Sequence, residues 1–269
     1  MSRKRIFLIL KLIIIVYCLV GIVLFYTQDK FLLHPISVST DYDFKFNQSY
    51  KELNIPINKE DTVNLIRFIP TDDTISKGVV IYFHGNAGNV SYYADCINIF
   101  LENNYEVWMP DYPGFGKSRG EISEQKLNEQ AYQVKRLANQ YFIDSNIIIY
   151  GRSFGTGIAA NLASSLKVKQ LVLESPYYSI PDLFSSYVPI YPMQSMANFK
   201  FPVGEYLKEV QCPITIFHGT IDEVIPAKSS MKLKTSLKNN DQFLVIRNGK
   251  HNDLSSSEVY KKAMTEILK

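Results

Sequence analysis

The chain reads as an α/β domain built on a mostly parallel sheet, carried behind one apolar helix long enough to cross a bilayer. Three observations predict this. Residues 78–83, 147–150, 171–173, 213–217 and 243–246 are short β-branched and aromatic runs, apolar on both faces as strands inside a parallel sheet must be. One of them leads straight into Gly151-Arg152-Ser153-Phe154-Gly155, a G-x-S-x-G turn that opens a helix kept slim by Gly157, Ala159 and Ala160. The third is the N-terminal run, residues 6–26, which is apolar apart from Lys11 and free of proline. A length of 269 residues suits one such domain. A formal charge of +3 with 20% charged residues gives no sign of a nucleic-acid-binding face.

The apolar run follows Arg3, Lys4 and Arg5. Lys11 lies near that basic end, where its stem can reach the headgroups, so its cost falls below the roughly 2.5–3.5 kcal/mol of a central charge. The positive cluster favours an N-terminus in the cytoplasm and a domain on the opposite side. A cleaved signal peptide is the competing reading. Against it, Tyr26-Thr27-Gln28 lacks a small-x-small cleavage site, and bulky Tyr17 precedes Cys18 where a lipoprotein site needs a small residue. The expected division is a transmembrane anchor over residues 1–28 and one domain over 29–269.

Residues 29–54 are mixed and aromatic and are expected to pack on the domain. Residues 51–56 and 62–69 alternate as two antiparallel strands around a polar turn at 58–61. The third strand, 78–83, runs into His84-Gly85-Asn86-Ala87-Gly88-Asn89. A His-Gly turn at this point is where an acyl-transfer site places one backbone N–H of its oxyanion hole, and Asn86 is the candidate donor. Residues 107–110 form a fourth strand, ending in the tight loop Asp111-Tyr112-Pro113-Gly114-Phe115-Gly116-Lys117-Ser118, where Tyr112 is a candidate pocket residue. Leu127, Ala131, Val134, Leu137, Ala138 and Tyr141 then recur at helical spacing and mark a crossover helix.

After the elbow and the strand at 171–173, the composition changes. Residues 177–203 are rich in Tyr, Phe and Met and broken by prolines, which predicts a small cap after the sixth strand, with Tyr177 and Tyr178 as candidate substrate contacts and an acyl-chain pocket beneath. Strand 213–217 leads to His218-Gly219-Thr220-Ile221-Asp222-Glu223, whose Asp222, or failing that Glu223, can orient an imidazole. The last strand leads to His251 and a final helix over 256–268. Of four histidines, His34 follows the membrane segment and His84 and His218 precede glycine at strand ends, so His251 is the candidate general base. The chain order Ser153, Asp222, His251 is that of a nucleophile-elbow hydrolase. Cys18, Cys96 and Cys212 lack metal-ligand spacing and read as packing residues.

Over residues 50–269 the sequence resembles the α/β-hydrolase superfamily, which implies the α/β-hydrolase fold. Tyr-Phe-His-Gly-Asn-Ala-Gly-Asn, Asp-Tyr-Pro-Gly-Phe-Gly-Lys-Ser, Tyr-Gly-Arg-Ser-Phe-Gly-Thr-Gly, Leu-Glu-Ser-Pro-Tyr-Tyr-Ser and His-Gly-Thr-Ile-Asp-Glu-Val-Ile-Pro look like the N-terminally anchored bud-emergence-type serine hydrolases. Pro113 stands where that branch more often has arginine. Animal relatives are similar to lysophospholipid and acyl-thioester hydrolases, which implies ester or thioester cleavage. The expected chemistry is an acyl-enzyme on Ser153, with backbone N–H groups of Asn86 and Phe154 binding the oxyanion and no metal or organic cofactor needed. Two other readings compete. One is a prolyl-oligopeptidase-like peptidase, which usually carries a bulky additional domain that does not fit here. The other is a catalytically silent, membrane-tethered binding protein, against which the intact Ser153, Asp222 and His251 argue.

Overall fold

A computed structural model describes residues 2–71 and 75–269. Eight strands form one sheet: β1 (Tyr50–Pro56), β2 (Thr62–Phe68), β3 (Gly78–Phe83), β4 (Tyr105–Pro110), β5 (Ile147–Arg152), β6 (Gln170–Glu174), β7 (Ile214–Gly219) and β8 (Gln242–Ile246). Their spatial order is β8-β7-β6-β5-β3-β4-β2-β1. β1 pairs antiparallel with β2, and β2 antiparallel with β4; every other pairing is parallel. Two-residue strands at His34–Pro35 and Ala87–Gly88 pair apart from this sheet and tie the segment after the N-terminal helix to the turn that follows β3.

The period of two along each strand sorts side chains onto two faces, and both are buried. Val79, Ile81, Ile147, Ile149, Leu171 and Ile214 face one core, with the helices α3 (Glu124–Ala138) and α4 (Gly155–Ser164). Val80, Tyr82, Ile148, Tyr150, Val172 and Phe217 face the other, beneath α2 (Asn98–Glu102) and a C-terminal helix over residues 258–267. β2 is expected to alternate, yet Val63 to Phe68 are all buried, because Arg67 is covered too, paired with Glu106 at 3.0 Å. α3 stops at Ala138. Tyr141 lies beyond it, edge-on to Trp108 with ring centroids 5.8 Å apart.

The N-terminal helix α1 (Arg3–Leu32) runs four residues past the expected boundary at residue 28. Its last turns keep helical form because Gln28 and Leu32 are buried against the domain. The segment that follows packs as expected, with Phe44 buried and Phe46 edge-on to Phe68 at 4.9 Å. After β6 the cap contains α5 (Ile180–Tyr187) and α6 (Met193–Met196), then an extended stretch into α7 (Val203–Glu209). Ser179 caps α5 through the Asp182 N–H. Glu124 at the start of α3 accepts the N–H groups of Lys200 and Phe201, which moors the far end of the cap. Beyond it come α8 (Ala227–Met231) and α9 (Glu258–Ile267). The cysteines differ from the packing reading in part: Cys212 is buried, Cys18 is exposed on α1, and Cys96 accepts a hydrogen bond from Arg152 at 3.2 Å.

Candidate active site

β5 ends in Gly151 and Arg152, and the next residue, Ser153, sits at φ 51° in the left-handed region. A non-glycine residue held there stores backbone strain, and its surroundings must enforce it. Ser153 N–H donates to Glu174 O at 2.8 Å, and Ser153 O accepts from Thr156 N at 3.0 Å and Thr156 Oγ1 at 2.5 Å. The two motif glycines allow the close approach. A Cβ at Gly151 would lie 2.6 Å from that of Ala159, and one at Gly155 would lie 2.2 Å from Phe83 O. Helix α4 therefore docks directly onto the ends of β3 and β5, presenting the serine at the carboxyl rim of the sheet.

The loops after β7 and β8 bring two more side chains to that rim. His251 Nε2 lies 2.9 Å from Ser153 Oγ, and His251 Nδ1 lies 3.0 and 2.9 Å from the two Asp222 carboxylate oxygens. With Nδ1–H donating to the carboxylate, Nε2 is left to accept the serine proton. Asp222 Oδ1 also accepts the N–H groups of Val224 and Ile225 at 2.9 and 2.8 Å. Burial opposes the charge on Asp222, but the His251 hydrogen bond and charge and these two N–H groups outweigh it and hold the carboxyl below its ordinary value. Glu223, the fallback, accepts the His251 N–H at 3.5 Å.

Asn86 follows the His-Gly turn after β3; its side chain donates to Leu32 O at 2.6 Å. Among the described residues, no hydrogen bond takes the backbone N–H of Asn86 or of Phe154. Tyr112 and Tyr177 are buried with their hydroxyls committed to carbonyls of these same two loops, to His84 O at 2.6 Å and to Phe154 O at 3.1 Å. Tyr178 packs over Gly204 and takes its N–H to Ser229 Oγ at 3.2 Å. Tyr112 and Tyr177 thus brace the loops that carry Asn86 and Phe154.

Residues 78–201 match the family described as the alpha/beta hydrolase fold. The whole arrangement is similar to the esterase Pf2001 of Pyrococcus furiosus, with a TM-score of 0.68 over 88% of this chain and 97% of that one, at 18% identity. The chain has the α/β-hydrolase fold. This hydrolase is 30% identical over 179 residues to the lysophosphatidylserine lipase ABHD12 of Macaca fascicularis, covering 59% of this chain and 45% of that one. It is 25% identical over 191 residues to protein bem46 of Schizosaccharomyces pombe, covering 68% and 64% of the two chains. Esterase and lipase relatives together with this fold support hydrolase activity.

A charge network beneath the elbow of the hydrolase escaped the sequence reading. Arg152 and Glu174, both buried, face each other in register at the ends of β5 and β6, with Nε 3.5 Å from Oε1. Arg152 Nη2 also donates to Asn252 Oδ1 at 3.0 Å, next to His251, and Glu174 accepts from the Tyr150 hydroxyl. Burial disfavours the guanidinium charge, but Glu174 together with the smaller contributions of Tyr82, Cys96 and Tyr150 outweighs this and raises its pKa. The available signal was an acidic residue closing one buried strand beside a basic residue closing the next. A second pair, His84 Nε2 and Asp111 Oδ1 at 3.3 Å, is fully buried under the Asn86 turn.

Proposed function

We propose that this chain is a membrane-anchored serine hydrolase that cleaves carboxylic esters or thioesters of lipid-like acyl substrates. Ser153 Oγ attacks the carbonyl carbon as His251 Nε2 takes its proton, and Asp222 holds the ring and stabilises the imidazolium. The tetrahedral oxyanion is bound by the N–H groups of Asn86 and Phe154, where one donor is worth about 2.7–4 kcal/mol in comparable sites. Collapse expels the alcohol or thiol, which receives the proton from His251. Water, activated by the same imidazole, then cleaves the acyl-enzyme and releases the acid. Tyr112 and Tyr177 serve substrate binding by fixing the His84 and Phe154 carbonyls, and Tyr178 by packing the cap over Gly204.

One observation carries the reading: Ser153, His251 and Asp222 lie in a single hydrogen-bonded line with 2.9 Å separations, starting from a serine at φ 51°. A serine-reactive fluorophosphonate tests it. Labelling of the wild type that vanishes in Ser153→Ala supports the hydrolase, and a folded wild type that takes no label rejects it.

Residues 1–28 form the anchor in this proposal and residues 29–269 the hydrolase domain, with a cap over 177–203. The N-terminus lies in the cytoplasm and the domain outside it. Retention of the anchor is supported by its contacts with the cap, because Gln28 bonds both Met196 O and Asn198 N. In sealed vesicles the domain should resist protease added from the cytoplasmic side; digestion from that side would reverse the orientation.

A further inference from the structure

The helix α1 meets the cap well before its own end. The Tyr17 ring stacks on Tyr191 with centroids 4.7 Å apart and planes 8° from parallel. Tyr17 donates its hydroxyl to Ile190 O at 3.0 Å, and Tyr191 returns one to Tyr17 O at 3.1 Å. Alongside lies an apolar cavity of about 440 Å³, a volume typical of small-ligand sites. α1 contributes Leu24, Phe31 and Leu32 to its wall, and the cap contributes Leu183, Phe184 and Met193. Asn86 and Val224 also line it, and both belong to the loops that build the proposed site: Asn86 as oxyanion donor, Val224 through its N–H to Asp222.

The depth of these contacts sets what the cavity opens to. A hydrocarbon layer of about 30 Å uses about 20 helical residues, so a span starting at Ile6 ends near Phe25. Tyr17 then lies about 12 Å below the far surface at 1.5 Å per residue, and Ile190 and Tyr191 are held beside it. The tip Tyr187-Val188-Pro189-Ile190-Tyr191-Pro192 carries no charge, and Ile190 is 69% exposed. Most of its backbone suits such a depth: the two prolines have no N–H and those of Val188, Tyr191 and Met193 are bonded to Phe184, Val188 and Tyr191 carbonyls, which leaves Ile190 as the tip N–H without a bond among the described residues.

We infer that the cavity is an acyl-chain pocket with the anchor as one wall, and that a single acyl chain of a bilayer lipid enters it sideways from the hydrocarbon layer. The inference rests on the hydrolase reading and adds that α1 is part of the binding site as well as a tether. Short soluble acyl groups reach Ser153 without filling the pocket, so chain-length preference reads its occupancy.

The full-length protein in phosphatidylcholine nanodiscs provides the test, through the ratio of kcat/KM for p-nitrophenyl palmitate to that for p-nitrophenyl butyrate. Leu24→Trp, which fills the pocket from the helix side, should lower the ratio at least tenfold. Val23→Trp, on a 58% exposed position outside the cavity, should leave it unchanged. An unchanged ratio in Leu24→Trp, or an equal fall in both variants, overturns the pocket while fluorophosphonate labelling of the wild type still upholds the hydrolase. A wild type that takes no label rejects both. Should Leu24→Trp fail to fold, a hexadecyl fluorophosphonate with a terminal diazirine answers on the wild type. Photo-crosslinks to α1 or α5 support the pocket, and crosslinks confined to other elements overturn it.

Discussion

Glu174→Gln is the most informative perturbation of the scaffold under the site. Arg152 and Glu174 are 6% and 2% exposed, and the substitution removes the one carboxylate that, among the described residues, is paired with the guanidinium. Neutral partners remain at Asn252 Oδ1 and Cys96 Sγ, and the new amide oxygen can still accept from Tyr150. Breaking one side of a buried pair costs about 3–5 kcal/mol, because the other charge stays buried without compensation. In a domain of this size each kcal/mol shifts the melting temperature by roughly 2–4 °C, so Tm should fall by roughly 6–20 °C. Removing both charges in Arg152→Met/Glu174→Gln should recover part of the loss. Thermal unfolding of the three proteins in one detergent measures it. A single variant within 2 °C of wild type, or a double variant less stable than the single, would refute the reasoning.

Gly155→Ala should destabilise the protein by about 1–3 kcal/mol or more and slow fluorophosphonate labelling, since the methyl would sit 2.2 Å from Phe83 O and 2.6 Å from His84 O; unfolding and labelling rates check this. Asp222→Asn should keep the fold, as judged by near-ultraviolet circular dichroism, yet lower kcat by about 10⁴-fold, because the imidazole loses the partner that selects its tautomer. The acid limb of stability follows from two depressed pKa values. Burial lowers that of His218 although Asp222 lies 3.8 Å away, so its contribution is complete above the unfolded value of about 6.5 and is lost as pH falls through the lower folded value. Asp222 acts in the same direction but in a lower window, complete above about 3.9 and lost as pH falls through its own depressed value. Urea midpoints measured against pH should therefore decline less steeply below pH 6.5 in His218→Gln, and a slope identical to wild type would contradict this.

The strands at the centre of the sheet were legible because a segment buried on both faces must be apolar at every position, and 78–83 and 147–150 are. The three residues of the proposed chemistry were legible for a different reason: each follows a strand end, where a parallel sheet gathers its loops. The contact between α1 and the cap was not. A helix apolar all round shows no preferred face, so nothing in residues 6–26 marks Tyr17 as the one that meets Tyr191. The Arg152–Glu174 pair was hidden as well, because it depends on the register of β5 against β6. Nor did the apolar run show that the helix continues to Leu32, since its final turn is held by polar contacts such as Leu32 O with Asn86.

In the proposed mechanism an acyl group is transferred to one oxygen atom of this chain. Intact-mass spectrometry of the full-length protein, quenched in acid within the first turnover of a p-nitrophenyl ester, measures that directly. The account predicts a mass increase of one acyl group, mapped to the peptide bearing Ser153 and absent from Ser153→Ala. An acyl group on any other residue, or ester turnover that survives Ser153→Ala, would contradict it.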